Sequence, residues 1–162
     1  DGSMREDGVG CAAVLERYGR PGRRMKSLRA YLGHRLNSCW AEDAGLALAL
    51  ELARQQRRLT RLSVYTDCQL SLISIRRWTL RRLHHRAEPP PFTGVILQAY
   101  KDLMHRHPRA RVKMIWIPGH SGVPGNDAAD RLARSAACRG QSPASKLPAA
   151  LEKVIARGPF EQ

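Results

Sequence analysis

The chain has 162 residues, 43% of them hydrophobic, enough for one sizeable core and too few for two ordinary domains. Lys and Arg outnumber Asp and Glu by 28 to 14, and the net charge of +14 favours polyanions through phosphate neutralisation and counterion release. Nucleic acid is the partner expected from this charge, although charge alone does not separate DNA, RNA and an anionic membrane.

In chain order, Gly8 to Tyr18 reads as a strand, Gly19 to Gly22 as a turn and Met25 to Gly33 as a second strand, together an antiparallel hairpin. Asn37 and Ser38 offer N-cap side chains to an alanine- and leucine-rich helix over Trp40 to Arg58. Leu62 to Thr66 is a short buried strand, and Gln69 to Leu83 is helical up to the break at Ala87 to Pro91. A helix over Phe92 to His105 and a strand over Val112 to Ile117 follow. Pro118 to Gly125 is a Gly- and Pro-rich loop, and Asn126 to Arg139 is an amphipathic helix. Gly140 to Lys146 reads as a linker and Leu147 to Ala156 as a short terminal helix. A hairpin followed by alternating helices and strands predicts an α/β fold with a sheet of mixed direction.

Cys11, Cys39, Cys68 and Cys138 are widely spaced with no Cys-x-x-Cys pair, so neither a zinc site nor a disulfide framework is expected. A reduced, intracellular protein fits, with nucleus and cytoplasm left indistinguishable. No apolar run reaches about 18 residues and no charged-then-apolar leader opens the chain, so neither a membrane span nor secretion is expected.

Acidic residues are scarce, so their positions carry information. On a wheel of about 100° per residue, Asp43, Glu51, Arg54, Gln55 and Arg58 share one face of the first helix. Glu42 falls opposite, among Gly45, Ala49, Leu52 and Ala53, the face expected to pack on the sheet. An ionised carboxylate there is costly to desolvate without positive compensation. Asp67 follows the strand Leu62 to Thr66 directly and so stands at its C-terminal end, where open α/β sheets bind ligands. On the last helix Asp130 borders the apolar stripe of Ala128, Ala129, Leu132, Ala133, Ala136 and Ala137, whereas Asp127 points to water. Each acid alone reads as a cap, a turn residue or half of an ion pair. Gathered together, they favour a site for a hard cation.

The motifs Asp1-Gly2-Ser3, Ala41-Glu42, Thr66-Asp67-Cys68-Gln69 and Ile117-Pro118-Gly119-His120-Ser121-Gly122, continuing to Asn126 and Asp130, resemble ribonuclease H, most closely the domains carried by retroelement reverse transcriptases. The resemblance spans about residues 1 to 139 with the motifs in family order. It implies a mixed five-stranded sheet, the first three strands antiparallel and the rest parallel, flanked by helices. It also implies Asp1, Glu42, Asp67 and Asp130 as catalytic carboxylates binding two Mg2+ ions, for which Mn2+ can substitute. His120 would be the mobile-loop histidine, serving proton transfer or product release. The implied reaction is two-metal hydrolysis of the RNA strand of an RNA·DNA hybrid, with the 2′-hydroxyls separating RNA from DNA.

By the same resemblance Ser3, Ser38, Gln69 and Asn126 belong to the substrate-binding surface. The family often carries Asn or Gln shortly before the helix glutamate and Ser after the third carboxylate, where this chain has Cys39 and Cys68. Arg76, Arg77, Arg81 and Arg82, interleaved with Trp78 and followed by His84, His85 and Arg86, resemble a basic substrate-binding helix. They read equally as a solvated basic face with Trp78 in the core. Arg20, Arg23 and Arg24 read as solvated turn residues.

The expected organisation is a catalytic domain over residues 1–139, its first strand truncated because Asp1 should lie within or at the end of a central strand, and a tail over 140–162. The expected partners are the hybrid and a tethered reverse transcriptase domain, with no membrane; the isolated domain is expected to be monomeric. A catalytically silent nucleic-acid-binding module, or a related nuclease acting on DNA, are the competing readings.

Overall fold

A computed structural model describes residues 1–17, 25–34, 36–81, 88–139 and 147–157, Arg81 by its backbone only. Strands β1 (Gly2–Arg5), β2 (Gly8–Leu15) and β3 (Lys26–Gly33) are followed by helix α1 (Ser38–Arg54), β4 (Arg61–Thr66), α2 (Gln69–Arg81) and α3 (Pro91–Arg106). β5 (Arg111–Trp116), α4 (Pro124–Arg139) and α5 (Ala149–Arg157) complete the described chain. The turn expected at Gly19 to Gly22, the basic residues Arg20, Arg23, Arg24, Arg82, His84, His85 and Arg86, and the linker after Arg139 lie outside the described residues.

β2 is the centre of the fold. It pairs antiparallel with β1 on one side, Ser3 opposite Gly10, and with β3 on the other, Cys11 opposite Ala30. Its residues from Gly8 to Ala13 are all buried because α1 covers one face of this sheet and α4 the other. A strand covered on both sides reads as an unbroken apolar run, which is what Val-Gly-Cys-Ala-Ala-Val supplies.

α1 is a run of strong helix formers started by Asn37, whose side-chain oxygen accepts the Trp40 N–H at 2.9 Å. It is wedged between the sheet and α3, and Trp40 stacks on the buried Phe92 with ring centroids 5.8 Å apart. This position corrects the reading of two separate helix faces. Asp43 and Glu51 are buried as well, because α2 and α3 cover the side that a lone wheel assigns to water. Glu51 is held by Arg54 and Gln55, and α1 ends at Arg54 rather than Arg58. α3 starts where Pro91 occupies a first-turn position, which asks for no backbone donor. It ends at His107, whose ring Nε2 lies 3.1 Å from the Arg54 carbonyl and ties the ends of α3 and α1 together.

β4 and β5 pair in parallel from Arg61 opposite Arg111 to Thr66 opposite Trp116. In β4 Leu62, Val64 and Thr66 are buried while Arg61, Ser63 and Tyr65 are exposed, since α4 lies on β1 to β3 and leaves this face open. The five-stranded mixed sheet expected from the resemblance is therefore corrected to a three-stranded antiparallel sheet and a two-stranded parallel one. Among the described residues β1 pairs with β2 and β4 with β5, and no ladder joins β1 to β4.

Candidate active site

Small residues bring β1 onto α1. A Cβ added at Gly2 would stand 2.6 Å from the Ala41 backbone, and one added at Gly45 would stand 2.7 Å from the Asp1 nitrogen. Ala41 and Gly45 are one turn apart on the same side of α1, so the start of the chain crosses the helix beside Glu42. The Asp1 amino group donates to the Ala12 carbonyl at 2.9 Å and stands 4.0 Å from Glu42 Oε2. That Glu42 oxygen is buried and accepts no hydrogen bond from the described residues. Burial pushes the Glu42 carboxyl above its usual range; the Asp1 amino group and the Gly2 amide oppose this, and the negative charges of Asp67 and Asp43 add to it.

Asp67 leaves the end of β4 half-buried. Its Oδ2 accepts the Asn126 side-chain N–H at 3.4 Å, and its carbonyl accepts the Trp116 indole N–H at 3.1 Å. The loop after β5 runs directly over it, since a Cβ at Gly119 would come within 2.9 Å of Asp67 Oδ2. The next residue, His120, is exposed and holds φ +52, a left-handed backbone uncommon for a side-chain-bearing residue. The loop thus carries an accessible imidazole one residue from the point where it touches Asp67.

Glu42, Asp67 and Asn126 are brought together with the start of the chain at Asp1. Asp130 is buried on the packed side of α4 and forms an ion pair with Arg134, one turn further on. Among the described residues no group of three His, Cys, Asp or Glu side chains is gathered tightly enough to grip an ion. Asp127 is half-buried rather than turned fully to water. Ser3 is buried on β1, Ser38 opens α1 and Gln69 opens α2, both of these exposed. Arg76 and Arg77 are exposed on α2 and Trp78 is half-buried. The side chain of Arg81, and all of Arg82, lie outside the described residues.

Sequence reasoning missed Trp116 and Arg134 as parts of this site, and named Gly119 and Gly45 without giving them a role in it. Trp116 carried a usable signal, as the last strand residue before the Ile117 to Gly122 motif. A second missed feature is the surroundings of Cys39, in the first turn of α1, whose thiol feels Cys68, the residue after Asp67. Burial pushes the Cys39 thiol up, and Cys68, Asp43 and Glu42 add to the effect.

Fold and acid cluster together define an α/β domain whose acidic centre lies where a strand ends against a helix, set in a strongly basic chain. The model of the RNase H family matches residues 1–138, and the chain belongs to that family. It is similar to a ribonuclease H of Methylococcus capsulatus, 31% identical over 137 residues, which are 82% of this chain and 83% of that protein. A ribonuclease H of Bordetella pertussis is 34% identical over 92 residues, 54% of this chain, so the match spans only 57% of that relative. Among solved structures, LC9-RNase H1, described as a type 1 RNase H with the type 2 active-site motif, matches with a TM-score of 0.61. It shares 15% identity over 95% of this chain and 77% of its own, a likeness of fold.

Proposed function

We propose that this chain hydrolyses the RNA strand of RNA·DNA hybrids in a magnesium-dependent reaction, as the ribonuclease H domain of a retroelement reverse transcriptase. Membership of the RNase H family supports the reaction class, and the motif spellings between Asp1 and Asp130 support the retroelement origin, although the similar proteins of Methylococcus capsulatus and Bordetella pertussis are bacterial. The observation that carries the metal site is the buried Glu42 oxygen that accepts no hydrogen bond from the described residues and feels the charge of Asp67. A hard divalent cation answers both features, because it supplies the missing partner and relieves the repulsion.

Asp1, Glu42, Asp67 and Asp130 would hold the ions. When bound, magnesium supplies Lewis acidity at the scissile phosphate and a water of lowered pKa. Asn126 and the Gly119 backbone orient Asp67, and Trp116 fixes the backbone that presents it. His120 moves a proton to or from the reacting oxygens or aids product departure. Ser3, Ser38 and Gln69 face the minor groove, where 2′-hydroxyls mark RNA, while Arg76, Arg77, Arg81 and Arg82 follow phosphates with Trp78 as an aromatic platform. The domain spans residues 1–139, acts inside the cell, is a monomer when isolated and works tethered to a polymerase domain.

A second reading has one observation in its favour. Arg134 occupies Asp130, so a domain that never releases this pair would bind hybrid without cutting it. Incubation with labelled hybrid, duplex DNA and single-stranded RNA, with magnesium or with chelator, separates the readings. Cleavage of hybrid RNA alone, dependent on magnesium and abolished by Asp67→Asn, is expected; retention of hybrid without cleavage at saturating metal selects the binding module.

A further inference from the structure

We propose that the open face of the β4–β5 pair binds a single strand of nucleic acid, DNA or RNA alike, at a surface beside the proposed catalytic centre and separate from it. The parallel register sets Arg61 against Arg111, Ser63 against Lys113 and Tyr65 against Ile115, and these residues share one side of the pair. The other side carries Leu62, Val64, Val112 and Met114, which join the core. Arg61, Ser63, Tyr65, Arg111 and Lys113 are exposed and Ile115 is half-buried. Tyr65 is 55% exposed, a ring left to water on a strand whose alternate residues are buried. Among the described residues α4 packs on β1 to β3 and no helix covers these side chains.

The chemistry of the face selects the occupant. Neither strand contains an acid, and none occurs from Leu52 to Thr66 or from Leu103 to Asn126. Arg57 and Arg58 lead into β4 and Arg109 leads into β5, all of them exposed. The two strand starts are joined by the Arg111 N–H, which donates to the Thr60 carbonyl at 2.9 Å, so the basic character is strongest at this end. Same-side residues recur about 6.6 Å apart along a strand and paired strands lie about 4.8 Å apart, so Arg61, Arg111, Lys113 and the Tyr65 ring occupy one patch about 13 Å long.

Cations in a row neutralise successive phosphates, and the Tyr65 ring beside Ile115 offers a platform to a base. A duplex keeps its bases stacked on one another and has no free base face for Tyr65, whereas a single strand does. An acidic polypeptide would meet the cations and leave the ring without a stacking partner. Tyr65 stands two residues before Asp67, and the patch runs away from it to Arg61, about 20 Å from Asp67 along the strand. Binding here requires neither metal nor cleavage.

The test measures binding of labelled oligothymidylate and oligouridylate, of duplex DNA of equal length and of polyglutamate by fluorescence anisotropy, in chelator so that nothing is cut. Tyr65→Ala should weaken binding of both single strands about fivefold or more and leave duplex binding unchanged, and Tyr65→Phe, which keeps the ring, should bind like the parent. Lys113→Gln should lower the slope of log affinity against log salt by about 0.7. On the unaltered chain, an oligothymidylate carrying iodouracil should cross-link on irradiation to Tyr65, in tryptic peptide 62–76, which locates the strand without any substitution. Parent affinity in both Tyr65→Ala and Lys113→Gln, or cross-links on Trp78 with none on Tyr65, overturns the proposal. Polyglutamate bound as tightly as the single strands overturns it in favour of an acidic protein partner. Because hydrolysis is never read, failure here leaves the nuclease reading untouched, and a chain that binds single strands but cuts no hybrid fails that reading alone.

Discussion

Gly10 is where β2 and α4 touch backbone to backbone, and adding one methyl group there tests how α4 is held. A Cβ at Gly10 would stand 2.4 Å from the Ala133 carbonyl oxygen and 2.5 Å from the Ala137 nitrogen, against an ordinary contact of 3.4 Å or more. Both obstacles are main-chain atoms of a helix, so no side chain can swing aside and α4 as a whole must retreat by about 1 Å. Overpacking of this kind costs about 1–3 kcal/mol. Ala129, Ala133, Ala136 and Ala137 are all buried at this contact, so the retreat opens the whole seam. Asp130 lies one turn before Ala133 and travels with the helix. A displacement near 1 Å at a reacting group can lower the rate about 100-fold. Gly10→Ala should therefore lower the urea midpoint and reduce hybrid cleavage more than a two-state loss of folded protein explains. Gly125→Ala provides the contrast: its Cβ meets nothing within 4 Å among the described residues, and alanine there, in the first turn of α4, should leave stability unchanged or slightly raised. An unfolding midpoint for Gly10→Ala equal to that of the parent would refute the claim that the glycine sets the seam.

Glu42→Gln should abolish cleavage yet raise thermal stability at neutral pH in chelator, and magnesium should lift the melting temperature of the parent alone. The sign follows from the raised carboxyl: a group that holds its proton longer in the folded state favours folding in acid and disfavours it as pH rises through the folded value, so removing its charge helps at neutral pH. Glu51 is the opposite case. Burial alone would raise it, but hydrogen bonds from Arg54 and Gln55, with the Arg54 charge, leave it lowered. Its contribution is present above the unfolded carboxylate value and disappears as pH falls through the folded one, so Glu51→Gln should destabilise at pH 7 and match the parent in strong acid. Because the Arg54 side chain is 38% exposed, solvent screening limits the loss to about 0.5–1 kcal/mol by denaturation. Arg76→Ala and Arg77→Ala should each weaken hybrid binding about equally across sequences and reduce the slope of log affinity against log salt by about 1, read by titration at several salt concentrations.

The sequence by itself determined the elements from β2 onward and their order, while β1 (Gly2–Arg5) was expected only through the family resemblance. Leucine- and alanine-rich composition made α1, the buried run Gly8 to Ala13 made the central strand, Asn37 started the first long helix, and the three prolines placed the start of α3. Periodicity and capping are local properties, so one chain suffices to read them. It also singled out Glu42 and Asp67 as acids in costly positions. Only the tertiary structure decided what surrounds them. Asp43 and Glu51 lie under α2 and α3, which no wheel of α1 alone includes, and Asp130, paired within its own helix with Arg134, is buried by the packing of α4 on the sheet. The division of the sheet depended on β1 pairing with β2 and not with β4. Burial and charge coupling arise between elements, and their partners are set by packing across the core rather than by neighbours along the chain.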